Sequence, residues 1–183
     1  TVDYLQLPPG IKFRRNIQFV PGMSGTSTLL RDWRGLAFHW TGGERLSQDV
    51  INNLKKENLS IHFIIEPDGT VVQTADLQAR CSHSGVGNGF FIGVEVVCRG
   101  YATKQDLAVA LLKNDDLRKR EEIDWKADRD VYADTIAGQR INIADFNPKQ
   151  IDAMVWLAEA MAQKFNFPRQ IPAARCLDSS PAA

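Results

Sequence analysis

The stretch Cys81–Gly100, CSHSGVGNGFFIGVEVVCRG, constrains most strongly how this chain can fold. Its second half is apolar except for one carboxylate, Glu95, which is typical of a strand covered on both faces. The apolar residues of this strand are Phe90, Phe91, Ile92, Val94, Val96 and Val97. An ionised carboxylate is costly in such a strand unless a partner offsets its desolvation. We therefore predict a chemical use for Glu95, as a general base.

A histidine, His39, lies near the end of another apolar strand, predicted over Gly35–Trp40. Thr41 and the two glycines that follow it must then turn the chain. Sites on sheets tend to lie at such strand ends, beside glycine-rich loops. Taken alone, a histidine on a strand is more often a hydrogen-bonded structural residue than a metal ligand. Together with the lone acid, however, it leads us to predict that His39 and Glu95 converge on one site.

Composition allows one domain with a sizeable core. The chain has 183 residues, 44% apolar and 24% charged, and its 22 basic residues balance 22 acidic ones. These are the proportions of an ordinary globular protein. A net charge of zero gives no electrostatic basis for nucleic acid or an anionic membrane as the main partner. No apolar run is long enough to span a bilayer. Because the chain starts at threonine rather than methionine, a leader peptide could have been removed.

The first half of the chain alternates strand and helix signals. Residues 1–30 predict an N-terminal arm with one short strand at Asn16–Val20. A short helix is predicted to be capped by Ser47 and to end near Asn58. A β-hairpin is predicted over Leu59–Asp76, because its Pro-Asp-Gly sequence favours a tight turn.

The second half combines an insertion with a strongly indicated helix. Residues 101–145 predict an inserted segment with a helix, a solvated charged surface and a hairpin over Val131–Phe146. Asn147 is the predicted N-cap of a helix that ends at Phe165, and Gln150 completes a capping box. The predicted buried face of this helix consists of Ile151, Met154, Val155, Ala158, Met161, Ala162 and Phe165.

Cysteine and histidine patterns leave alternatives open. Three cysteines are too few for a disulfide framework, although Cys81 and Cys98 could pair. These two cysteines with His83 could instead hold a structural zinc, but they lack the usual paired spacing. His62 alternates with apolar neighbours in the predicted hairpin and is expected to be structural. The sequence contains no Walker loop, no HExxH and no G-x-S-x-G motif.

The ordered set of motifs resembles the type 2 N-acetylmuramoyl-L-alanine amidase family, which includes peptidoglycan recognition proteins and phage amidase lysozymes. The motifs are a strand ending in His-x-Thr-Gly, a Ser-x-His-Phe-Ile-Ile-x-x-Asp-Gly-Thr-Val hairpin, a Ser-His-x-Gly loop, an Ile-Gly-Val-Glu-Val-Val strand and an Asn-Pro-x-Gln helix start. They cover Gly35–Gly100 and Phe146–Phe165. The resemblance implies an α/β fold with a mixed β-sheet flanked by helices. From the residues themselves we predict a single domain over residues 1–183, with the arm at 1–30 and an inserted helical and hairpin segment at 101–145, neither of which is covered by the resemblance.

The resemblance further implies a hydrolase that cleaves the amide between N-acetylmuramic acid and L-alanine in peptidoglycan, with one Zn²⁺ ion. In this family His39 corresponds to the first zinc ligand and Glu95 to a catalytic glutamate. The residues expected to bind the peptidoglycan or muropeptide substrate are Thr41, His83 and Asn88. Such an enzyme would act in the periplasm or outside the cell, including as a phage endolysin.

One departure from the family concerns the remaining zinc ligands. Family members take them from a motif after the last helix, a histidine followed by a cysteine or an aspartate, whereas this chain has no histidine after His83. Cys176 and Asp178 are the late candidates. We expect the chain to end inside a loop, with the ligand motif beyond residue 183. The alternative is a module that binds peptidoglycan or muropeptide without zinc and without catalysis.

Overall fold

A five-stranded mixed β-sheet forms the centre of the computed structural model, which describes residues 8–19, 32–43, 46–98, 131–136 and 139–169. Its strands are β1 (Phe13–Phe19), β2 (Gly35–Trp40), β3 (Phe63–Ile65), β4 (Val71–Ala75) and β5 (Phe91–Val96). They lie in the order β1-β4-β3-β5-β2. Strands β3 and β4 pair antiparallel as the predicted hairpin, and the other pairs are parallel. The predicted mixed sheet is therefore confirmed.

Two α-helices and a second hairpin accompany the sheet. Helix α1 spans Ser47–Lys56 and α2 spans Pro148–Phe165. Strands β6 (Val131–Ile136) and β7 (Gln139–Ala144) pair antiparallel, which confirms the hairpin predicted within the insertion. Neither described helix is long and apolar enough to cross a bilayer. The helix predicted earlier in the insertion lies outside the described residues.

Strand β5 is covered on both faces, as predicted. Val94 packs with α2 in one core cluster, and Val97, just after the strand, packs with α1 in the other. The prediction is wrong for the first two residues of the apolar run, since Phe90 is 42% exposed and Phe91 36% exposed. They come before the part of β5 that lies between β2 and β3, so the covering elements do not enclose them.

Helix α2 begins with the predicted capping box but buries a different face. Asn147 accepts a hydrogen bond from the Gln150 amide at 3.0 Å, while Gln150 Oε1 accepts from the Asn147 amide at 3.4 Å. Ile151 and Val155, predicted to be buried, are 42% and 59% exposed. The buried residues are Gln150, Ala153, Leu157, Ala160, Met161 and Ala162. Gln150 Nε2 donates to the Val97 carbonyl at 2.9 Å, which turns this polar residue and the face it belongs to toward the sheet.

Helix α1 is not capped by Ser47, contrary to the prediction. Ser47 is the first helical residue, and the N-cap, Leu46, has no side-chain hydrogen bond. Glu66, from the β3–β4 turn, accepts from the Ser47 amide at 3.3 Å and from Arg14 at 2.9 Å. A distant carboxylate thus takes the place of a local cap at the positive end of the helix dipole. The predicted end is confirmed, because Asn58 has a left-handed φ of 61°.

The N-terminal segment contributes an edge strand to the sheet. The strand predicted at Asn16–Val20 instead begins at Phe13 and ends at Phe19, in parallel with β4. Phe19 is 1% exposed and packs with the α1 side of the core. The strand starts earlier than predicted because its first residues pair with β4, and such pairing cannot be inferred from the local sequence.

Candidate active site

His39 and Glu95 are register partners on the neighbouring parallel strands β2 and β5. Register partners in parallel strands project their side chains from the same face of the sheet. That face is the one beneath α1, because Ile64, the partner of Glu95 in β3, packs in the same cluster as α1. The two side chains therefore lie on one side of the sheet, a condition that the predicted convergence on one site requires.

Glu95 lines a pocket between the end of β2 and helix α1. The pocket is lined by Trp40, Thr41, Gly42, Gly43, Val50, Asn53, Leu54 and Glu95. Gly42 adopts a left-handed φ of 67°, which lets the chain turn away after the strand. A ligand in this pocket could therefore reach the carboxylate of Glu95.

The Glu95 carboxylate is partly buried, and one of its oxygens is unsatisfied. Oε2 has no hydrogen-bond partner within the part of the chain that the structure describes. Burial raises the pKa of Glu95 to about 7. A carboxyl group with this pKa can both accept and release a proton near neutral pH, which is what a general base that later acts as an acid requires.

His83 packs directly against His39. Its Nδ1 lies 3.1 Å from His39 Nε2, and the two rings meet edge to face at 5.3 Å. The His83 ring rests on Gly93 of β5, where a Cβ atom would lie 2.6 Å from His83 Cγ. Glycine at this position therefore makes room for the imidazole. Burial lowers the pKa of His39, and burial with the neighbouring His62 lowers the pKa of His83 to about 4.

Asn88 holds the loop that carries His83. Its side chain is buried, and Oδ1 accepts from the amides of His83 at 2.9 Å and Ser84 at 2.7 Å. A short 3₁₀ turn, Gly85–Gly89, brings Asn88 back to these amides. The geometry thus gives Asn88 a supporting part in the site, and its direct contact with a substrate stays a prediction.

Thr41 joins the ends of β2 and β5 beside the pocket. Its hydroxyl donates to the Gly43 carbonyl and accepts from the Cys98 amide at 3.2 Å. These bonds fix the turn that forms one wall of the pocket. Thr41 therefore shapes this wall, whereas its contact with substrate is still a prediction.

His62 is fully buried and hydrogen-bonded, in agreement with its predicted structural role. Nδ1 accepts from the Gly93 amide at 3.0 Å, and Nε2 donates to the Ala79 carbonyl at 2.9 Å. His62 therefore fixes the residue on which the His83 ring rests, a connection that sequence reasoning missed. Its only sequence signal was a histidine among apolar strand residues.

The buried imidazole of His62 leads us to expect that the fold loses stability in acid. Burial lowers its pKa from 6.5 to about 4, so the unfolded chain binds the proton first as the pH falls. This contribution is complete above pH 6.5 and is lost as the pH falls from there through about 4. Between about pH 7.5 and about pH 5, we expect a loss of about 2 kcal/mol in the free energy of unfolding.

Urea unfolding of the wild type and of His62→Gln at both pH values measures this contribution. Glutamine can still donate to the Ala79 carbonyl but does not titrate. The acid-induced loss should therefore be smaller in the variant by about the same 2 kcal/mol. An equal loss in both proteins would show that His62 is not responsible.

Cys81 and Cys98 are buried thiols and do not form a disulfide. Burial raises the pKa of Cys81 to about 12, so its thiol stays protonated at neutral pH. No three His, Cys, Asp or Glu side chains within the described residues are grouped so that they could hold a metal ion. The alternative of a structural zinc at these two cysteines and His83 is therefore wrong.

A sequence profile described as N-acetylmuramoyl-L-alanine amidase matches residues 29–176, well over half of the chain. The chain belongs to this amidase family. The family indicated by the sequence motifs is thus confirmed, and the match also spans the predicted insertion at 101–145. No curated protein sequence matches the chain.

Solved structures similar to this amidase-family chain include two amidases and one hydrolase. The endolysine N-acetylmuramoyl-L-alanine amidase LysCS from Clostridium intestinale URNW is 13% identical, with a TM-score of 0.46, over 83% of this chain and 78% of that chain. The amidase LysC from the same source is 18% identical, with a TM-score of 0.38, over 63% and 79%. The Staphylococcus aureus hydrolase AmiA, in complex with its ligand, is 19% identical, with a TM-score of 0.36, over 61% and 58%.

The described residues of this amidase-family chain are compatible with part of a zinc site. His39 makes no hydrogen bond through Nδ1 within the described residues, so this nitrogen is available as a ligand. An available imidazole nitrogen beside a carboxylate with an unsatisfied oxygen suits a metal and its general base. The other candidate ligands, Cys176 and Asp178, lie outside the described residues.

Proposed function

We propose that this protein is a zinc-dependent hydrolase that cleaves the amide between N-acetylmuramic acid and the L-alanine of the stem peptide. Family membership supports the reaction class. The mechanism rests on one observation. Glu95 is a partly buried carboxylate with one unsatisfied oxygen, and it is the register partner of His39 on the same face of the sheet. We assign Glu95 as general base and His39 as one zinc ligand.

Glu95 would carry out two successive proton transfers in this reaction. Zinc, when bound, supplies a Lewis acid that polarises the scissile carbonyl and acidifies water. Glu95 takes a proton from the water that attacks the carbonyl carbon. It then gives that proton to the alanine nitrogen as the carbon–nitrogen bond breaks. A pKa of about 7 leaves the carboxyl group poised for both steps.

Substrate would lie along the pocket beside Glu95. The turn after β2 forms one wall, with Thr41, and helix α1 forms the other, with Asn53. His83 stands on the same face, next to His39, and would border the bound muropeptide. Since peptidoglycan lies outside the cytoplasmic membrane, we place the activity in the periplasm or outside the cell, as for an endolysin.

Product analysis tests this function directly. Incubation of the protein with purified peptidoglycan should release stem peptides with a new N-terminal alanine amine, detected by amine labelling and mass spectrometry. A chelator should abolish the release, and added zinc should restore it. Peptidoglycan binding that survives the chelator, without any new alanine amine, would instead identify a binding module.

A further inference from the structure

We propose that His83 is a positioning residue that fixes the tautomer of His39, so that His39 offers Nδ1 to the metal. The proposal rests on the proposed zinc site. It assigns a specific atom of His39 and a specific task to His83, and it follows from a chain of hydrogen bonds that begins at a backbone carbonyl.

The hydrogen bonds fix the proton positions one after another. His83 Nε2 lies 3.2 Å from the Phe91 carbonyl oxygen, which can only accept, so Nε2 carries the proton. A neutral imidazole has one N–H, so His83 Nδ1 is an acceptor. His39 Nε2, 3.1 Å away, must then donate to it. His39 Nδ1 is left with a lone pair and without a proton.

Three contacts hold the His83 ring in this orientation. Gly93 lies beneath the ring, so close that a Cβ atom would be 2.6 Å from His83 Cγ. Asn88 anchors the His83 backbone amide at 2.9 Å, and the His62 ring meets the His83 ring edge to face at 6.1 Å. His62 in turn holds Gly93 through its amide. These contacts therefore hold His83 so that its acceptor nitrogen faces His39.

A fixed tautomer matters to a metal ligand. Histidines that bind metals nearly always donate their other N–H to an acceptor, which orients the ring and raises its basicity. Here the acceptor is a second imidazole, itself anchored to the Phe91 carbonyl. Loss of such a partner typically weakens metal binding by about 10- to 100-fold.

Nitrogen-15 NMR of the histidine side chains of the metal-free protein near neutral pH tests the assignment without activity. We expect the proton on Nε2 and none on Nδ1 in both His39 and His83. In His83→Phe, which keeps a ring but removes the acceptor, His39 should show a mixture of tautomers. His83→Asn, whose amide oxygen can take the position of Nδ1, should restore the wild-type tautomer. A proton on Nδ1 of His39 in the wild type would overturn the proposal.

Metal binding provides the second readout. Zinc affinity, measured by competition with a chromophoric chelator, should fall about 10- to 100-fold in His83→Phe and recover in His83→Asn. Val86→Ala, an exposed change in the same loop, serves as the control and should leave the affinity unchanged. Equal affinity in His83→Phe and wild type would contradict the positioning role.

Cadmium-113 in place of zinc identifies the ligand atom. Scalar coupling to nitrogen-15 is expected at His39 Nδ1 and absent at His83. Coupling to His83 Nδ1 would make His83 a direct ligand and overturn the proposal. A protein that binds no metal would contradict the proposed zinc dependence, while the tautomers in the metal-free protein would still decide the relation between His83 and His39.

Discussion

Replacement of Glu95 by glutamine is expected to reduce amide cleavage by about 10²- to 10⁴-fold, the usual contribution of a general acid–base residue. Glutamine has nearly the same size and keeps the packing on β5, but it cannot accept a proton from water. The carboxylate oxygen Oε2 has no hydrogen-bond partner in the described residues, so the substitution breaks no bond that this oxygen makes there. The initial rate of alanine-amine release from peptidoglycan measures the effect.

The control for this substitution is Glu159→Gln. Glu159 is an acidic residue on α2, paired with Arg169 in an exposed ion pair that contributes little to stability. Its substitution should leave both the cleavage rate and the unfolding midpoint unchanged. If Glu95→Gln retains wild-type cleavage while zinc is bound, another group must act as the base.

Replacement of His39 by alanine is expected to remove zinc binding and, with it, cleavage. The loss of affinity should exceed the roughly 10- to 100-fold expected when an outer partner such as His83 is removed, because a direct ligand is lost. Zinc content after dialysis against a metal buffer, together with chelator competition, measures this loss. Activity should not return at zinc concentrations that saturate the wild type.

Stability of the metal-free protein separates this effect from misfolding. His39 is only partly buried at the end of an edge strand, so alanine should leave the metal-free unfolding midpoint close to that of the wild type. Zinc should then raise the unfolding midpoint of the wild type but not that of the variant, since a ligand stabilises only the state that binds it. Wild-type zinc affinity in His39→Ala would show that His39 is not a ligand.

Features encoded by neighbouring residues could be predicted well from the sequence. The apolar run that ends in His-Trp predicts β2 with its observed bounds, Gly35–Trp40. The Pro-Asp-Gly turn is confirmed by a φ of +82° at Gly69, and the capping box of Asn147 is present. In each case the physical cause, a fixed φ or a local hydrogen bond, lies within a few residues.

Features that depend on distant partners were predicted less well. Serine is a residue type that favours the N-cap position, yet at Ser47 the carboxylate of Glu66, 19 residues away, caps α1 instead. Apolar spacing on α2 indicated Ile151 and Val155, but the bond from Gln150 to the Val97 carbonyl turns another face inward. Periodicity identifies a helix but does not fix its rotation when a buried polar contact competes with it.

The sequence by itself determined that an acid lies in a covered strand and that a histidine ends another, because burial pattern and turn residues are local. Their alignment as register partners was decided only by the tertiary structure, since strand order has no local signal. The contact between His39 and His83 spans 44 positions, and the bond that ties His62 to Gly93 spans 31. Such bonds form only when the sheet brings separate strands together, and in the arrangement that we propose they determine which nitrogen of His39 is offered to a metal.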